Sequence, residues 1–99
     1  MSPKVLTIDS IVSDPEIRGG SAIVAGTTLR VSDLAAYHTL AGLDPDQLAA
    51  QFELPLDQVH AALAYYYQHK PEIDAELRRN ASEAESRREA LRARELILE

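Results

Sequence analysis

The chain has no cysteine among its 99 residues, which excludes a disulfide framework, a thiol nucleophile and a cysteine-based zinc site, and fits a reducing cytoplasm. It has no apolar run near the ~20 residues of a membrane span and no apolar signal-peptide core at its start, so the expectation is a soluble cytoplasmic protein without a membrane partner. It is also short of positive charge. Ten basic side chains face 16 acidic ones, a formal charge of −6, the wrong sign for nucleic-acid binding through a generic basic face. Aromatics are few, and glycine and proline are missing altogether from 72 to 99. Chemistry-bearing sets are missing too. His38, His60 and His69 stand 22 and 9 residues apart with no His-Glu-x-x-His pattern, and no serine has a nucleophile-elbow context. Neither a metal, nor a cofactor, nor an enzymatic activity is expected.

What is present is one β-like stretch followed by helical spacing. From Asp14 to Val31, Gly19-Gly20 and Gly26 bracket the apolar run Ala22 to Ala25, reading as two backbone reversals around a strand. Lys4 to Ile8 and Ile11-Val12 read as one or two further short strands, and Asp14-Pro15-Glu16 as a tight turn in which the aspartate accepts a bond from two residues on.

Ser32-Asp33 predicts a helix start with the serine as cap, and Gly42 a left-handed stop, giving a first helix over about Val31 to Ala41. Asp44-Pro45 starts a second, with Leu48, Ala49 and Phe52 as its stripe. A third begins near Pro55 or Leu56, carries Leu56, Val59, Leu63 and Tyr66 on one face, and runs to about His69, because a residue before proline, here Lys70, is pushed out of the α region. The fold class is therefore α+β, mainly α: short N-terminal strands, a helix-turn-helix-like three-helix body over 1–71, and a C-terminal helical tail over 72–99. A core of this size is thin, burying roughly 60–70% of the unfolded surface, and a dimer would help it.

Three features bear on partners. Tyr65-Tyr66-Tyr67 fan over most of a helix circumference at about 100° per residue, so they cannot all enter one core; either one is buried with two on the surface, or they serve a homodimer interface. The second and third helices have the length and turn of a helix-turn-helix, in which Gln58 and His60 sit where bases would be read, with Arg30 a further cation; a plain helical hairpin packing a core has the same pattern. The tail ends on Leu91 and Leu96-Ile97-Leu98, amid Arg87, Arg88, Arg92 and Arg94. An exposed helix with an apolar tip wants a partner, or frays without one.

The order of Ile11, Asp14-Pro15, Gly19-Gly20, Gly26-Thr27, Val31, Leu40-Ala41-Gly42, Asp46-Gln47-Leu48, Leu54 and Ala61-Ala62-Leu63-Ala64-Tyr65-Tyr66 resembles the domain of unknown function 433 family over about residues 5–75. Its members look like type II antitoxins encoded beside PIN-like nuclease toxins. The resemblance implies a dimer that neutralises such a toxin and represses its own operon by binding operator DNA. Toxin contact then falls to Arg87, Arg88, Leu91, Arg92, Arg94, Leu96, Ile97 and Leu98, DNA contact to Arg30, Gln58 and His60, and the dimer to Tyr65, Tyr66 and Tyr67. The chain departs from the family's Gly-Thr-Arg-Ile-Pro-Val at Thr28 and Arg30; Arg30, two positions along a strand, faces the same side as the replaced arginine. The alternatives are a stand-alone DNA-binding regulator and an assembly adaptor without a DNA role.

Overall fold

The computed structural model describes the backbone of residues 3, 4 and 8–98 and the side chains of residues 3, 4 and 8–95. The strand expected over Lys4 to Ile8 falls mostly on residues 5–7, outside the described residues. Strands β1 (Ile11–Val12) and β2 (Ile23–Val24) pair antiparallel, Ile11 opposite Val24 and Val12 opposite Ile23. Helices α1 (Val31–Leu40), α2 (Pro45–Phe52), α3 (Leu56–Gln68) and α4 (Lys70–Leu98) follow.

The turn between the strands is built as its residues dictate. Asp14 Oδ1 accepts the Glu16 N–H at 2.9 Å, the aspartate turn expected from the sequence. A single 3-10 turn over Arg18–Gly20 then reverses the chain, with Gly19 at φ 66° and Gly20 at φ 87°, conformations that glycine adopts without strain. After β2 the chain folds back on itself: Val24 N–H donates to Leu29 O at 2.9 Å and Val31 N–H to Ala22 O at 2.9 Å.

The start of α1 differs from the expectation. Its cap position is Arg30, and Asp33, three residues on, accepts the Arg30 N–H at 3.1 Å. Ser32 is fully buried inside the helix and its Oγ has no partner among the described residues. The register of the third extended segment, fixed by the Val31–Ala22 bond, places Ser32 two residues past the cap position, inside the helix. Asp44 does cap α2, accepting Gln47 N–H at 2.8 Å while Gln47 Oε1 accepts Asp44 N–H at 2.9 Å, a reciprocal pair.

The α2–α3 turn consists of Glu53, Leu54 and Pro55, and Glu53 sits left-handed at φ 54° and ψ 46°. A left-handed side chain is strained relative to glycine. Glu53→Gly should therefore raise stability by about 0.5–1 kcal/mol, read as a higher denaturant midpoint at an unchanged slope; a lowered midpoint would contradict the assignment of strain.

Val24, Val31, Leu34, Ala35, Leu48, Val59, Ala62, Leu63, Tyr66 and Ile73 form the core. Val59, Leu63 and Tyr66 supply the face of α3 as their spacing predicted, whereas Leu56, at the helix's first turn, is exposed. The break between α3 and α4 lies at His69, φ −123° and ψ 34°, one residue before the expected place. Lys70 is already helical, and Pro71 occupies the first turn of α4, where a missing N–H costs nothing.

Candidate functional site

Two things can be built from the C-terminal half: a clamp that fixes the direction of α4, and the length of α4 that the clamp presents. At the break, His69 N–H is shared between Tyr65 O and Tyr66 O at 3.0 and 3.1 Å. The His69 ring stacks on Tyr65 with centroids 4.1 Å apart and planes 20° from parallel. One turn on, Asp74 receives two donors: Tyr66 Oη at 2.8 Å and Lys70 Nζ at 2.9 Å, with the Lys70 ammonium also 5.6 Å from the centre of the Tyr66 ring. Ile73 is buried in the core and Leu77 packs against it. Ser21 Oγ donates to Glu76 Oε1 at 2.7 Å, tying α4 to the segment before β2. The first two turns of α4 thus belong to the packed body.

The clamp has a charge signature. The Lys70 hydrogen bond, with help from Tyr66, holds the Asp74 carboxyl below its ordinary 3.8. Lys70 is raised above 10.5, first by its bond to Asp74. Tyr66 is raised above 10.0, first by burial and then by Asp74. A depressed carboxylate stabilises the fold fully above its unfolded value, and that contribution fades as pH falls below about 3.8 through the lower folded value. The raised Lys70 and Tyr66 act on the other side: their contribution is complete below about 10 and is lost as pH rises through their folded values. Urea midpoints across pH should therefore fall at both extremes, and Asp74→Asn should flatten both limbs. A variant profile parallel to wild type at both ends would contradict the clamp.

Beyond Leu77, α4 leaves the body. Residues 78–95 are exposed, apart from half-buried Asn80 and Ala84, and the molecule reaches 73 Å in its longest dimension against 28 and 24 Å across. Arg87 pairs with Glu83 at 3.9 Å and Arg88 with Glu85 at 2.6 Å on the same helix. Exposed i,i+3 and i,i+4 pairs of this kind contribute little to stability and are easily exchanged. Arg92 and Arg94 have no carboxylate partner among the described residues. Leu91 is 58% exposed. The side chains of Leu96, Ile97 and Leu98 lie outside the described residues.

The other expected residues do not converge on one surface. Of the three tyrosines assigned to a dimer interface, Tyr66 is 1% exposed, so it cannot face a partner: its position on the stripe with Val59 and Leu63 sends it into the core. Tyr67 is exposed, its hydroxyl 3.1 Å from His38 Nε2 while His38 Nδ1 meets Leu43 O at 2.7 Å. Tyr65 is half-buried at the edge of α3. Among the DNA-contact candidates, His60 is exposed and Gln58 half-buried beside exposed Asp57. The Arg30 guanidinium is engaged by Asp33, Nε at 3.3 Å and Nη2 at 3.1 Å, leaving it fewer donors for a phosphate. Among the described residues, no three His, Asp or Glu side chains come together as metal ligands, and no helix is long and apolar enough to cross a membrane.

Residues 11–66, which hold the strand pair, α1, α2, the α2–α3 turn and α3 as far as Tyr66, match the family model described as protein of unknown function (DUF433). The chain belongs to the DUF433 family. A crystal structure of a DUF433 member protein from Anabaena variabilis ATCC 29413 is similar, at 31% identity and a TM-score of 0.64, over 70% of this chain and 68% of that one. No curated protein matches this chain. The DUF433 match ends at Tyr66, so most of the clamp and all of the exposed α4 lie beyond it.

Proposed function

We propose that this DUF433 protein is an antitoxin-like inhibitor that neutralises a PIN-like nuclease through the exposed length of α4. The observation that carries the reading is a helix that runs on past the body, from Arg78 to Leu98, with no packing partner among the described residues and with Leu91 exposed. Leu91, the one large apolar side chain described on this exposed length, loses its contact with water only by docking on a partner. Inhibition is steric. Leu91, with Leu96, Ile97 and Leu98 further along, anchors the segment, and Arg92 or Arg94 pairs with the carboxylates of a metal-dependent nuclease site, where guanidinium matches carboxylate in a bidentate fork. The resemblance to antitoxins supplies the class of partner, and the tail supplies the means. Nothing in the α3 surface favours direct DNA reading: its outer first turn offers Asp57 and no arginine or lysine.

The test is co-expression with a toxic PIN-like nuclease taken from a reading frame next to that of this chain; a neighbourhood holding no such nuclease would itself count against the reading. The full chain should restore growth, and a chain ended after Arg79 should fail to do so although it accumulates in folded form. Equal rescue by both would remove the tail from the mechanism.

A further inference from the structure

We infer that the exposed length of α4 is one half of a heterotypic coiled coil, and that the surface it binds is a helix of another chain with acidic side chains along its seam. Two rows of residues recur at intervals of seven along α4: Leu77, Ala84 and Leu91 in one, with Leu98 next by the same count, and Ile73, Asn80, Arg87 and Arg94 in the other. Alternating steps of three and four residues interleave the rows into a single line. Such a line drifts round a straight helix by only about 20° every seven residues, which a supercoil takes up.

The line starts in the body. Ile73 is buried in the core and Leu77 packs against it; Asn80 and Ala84 are half-buried, while every other side chain from 78 to 95 is exposed. The face of α4 that packs on the body therefore runs on into solvent as the face that holds Arg87, Leu91 and Arg94.

The charges on that line choose the occupant. Its only ionised residues are Arg87 and Arg94. Two copies of α4 laid seam to seam, in either direction, would enclose arginines without a single carboxylate, and an enclosed unpaired charge is costly. That rules out a second copy on this face. A helix with Asp or Glu opposite Arg87 and Arg94 gains charge-assisted hydrogen bonds instead, with Leu91 in apolar contact between them. Both arginines are available to it: among the described residues Arg94 has no carboxylate partner, and Arg87 reaches Glu83 only at 3.9 Å with 76% of its side chain exposed. Arg92 follows Leu91 directly and so lies about 100° round the helix, off the line. Asn80, a polar residue between apolar seam positions, fixes the register, as such a residue does in coiled coils.

Titration calorimetry of the full chain with three synthetic helical peptides tests the inference. The first peptide carries leucine in one seam row and glutamate in the other, the second has lysine in place of the glutamates, and the third is the first with its sequence scrambled. The first should bind, and the other two should bind at least about tenfold more weakly. Arg87→Glu/Arg94→Glu should reverse the preference toward the lysine peptide, and Arg92→Ala should leave it unchanged; all three positions are exposed on α4. No binding of the glutamate peptide, equal binding of the lysine or scrambled peptide, or an unchanged preference in the double variant would overturn the inference, and the wild-type comparison of peptides stands even if a variant fails to fold. The inference rests on the reading of α4 as the part that binds, and the peptides contain no nuclease. Nuclease rescue without peptide discrimination therefore sinks the seam alone, and peptide discrimination without rescue sinks the nuclease alone.

Discussion

Ending the chain after Arg79 should leave thermal unfolding within a few degrees of the full chain, whereas ending it after Pro71 should cost several kcal/mol. The physical difference is two turns of helix. The longer truncation removes Ile73, a core residue 6% exposed, and losing a buried aliphatic side chain of that size costs about 2–5 kcal/mol. It also deletes Asp74, leaving the buried Tyr66 hydroxyl without its acceptor, and Glu76, the acceptor of Ser21. Against a total stability of roughly 5–15 kcal/mol for a domain of this size, that loss approaches unfolding. The shorter truncation removes only exposed helix, whose surface contributions are small. Calorimetry of the two truncations against the full chain decides it, and two equal melting temperatures would contradict the packing of α4.

Tyr66→Ala should be the most damaging single substitution, at about 3–5 kcal/mol, because a fully buried aromatic ring leaves a large cavity under the α3–α4 break. Tyr66→Phe separates ring from hydroxyl. It keeps the packing and gives up one hydrogen bond to Asp74, a loss of about 1 kcal/mol. A Phe variant as unstable as the Ala variant would mean that the hydroxyl, not the ring, holds the site together. Chemical denaturation at neutral pH gives both numbers.

Much of this fold was legible from local signals. The Asp14 turn, the Asp44 cap, the Gly42 stop and the apolar face of α3 each follow from one residue type at one position. Where reading failed, a longer-range contact had overridden a local rule. Ser32 looked like a cap, but the pairing of Val31 with Ala22 carried it into the core and left the task to Asp33. Pro71 looked like the end of the helical body, yet proline in a first turn starts a helix as readily as it ends one. Tyr66, Lys70 and Asp74 are spaced by four across the break and meet through side-chain bonds, a spacing visible in the sequence once the break is set at His69. The Ser21–Glu76 bond, between residues 55 apart, had no sequence signal at all. The boundary drawn at residue 71 separates segments by composition, while the packing of Ile73 and Leu77 carries the body past it.

The α4 extension was legible as a segment that lacks a core, and the structure adds where its exposed part starts and which cations on it are unpaired among the described residues. Arg87 and Arg88 are engaged by glutamates of their own helix, so Arg92 and Arg94 are the better candidates for contact with an acidic partner.

The most direct test of tail-mediated neutralisation is a calorimetric titration of a purified PIN-like nuclease, the partner class proposed above, with the full chain, the chain ended after Arg79, and the double variant Arg92→Ala/Arg94→Ala. Tight binding by the full chain, none by the truncation and a weakening of about tenfold or more in the double variant are the expected results. Equal affinity of the full and truncated chains, or no binding by the full chain, would contradict the account.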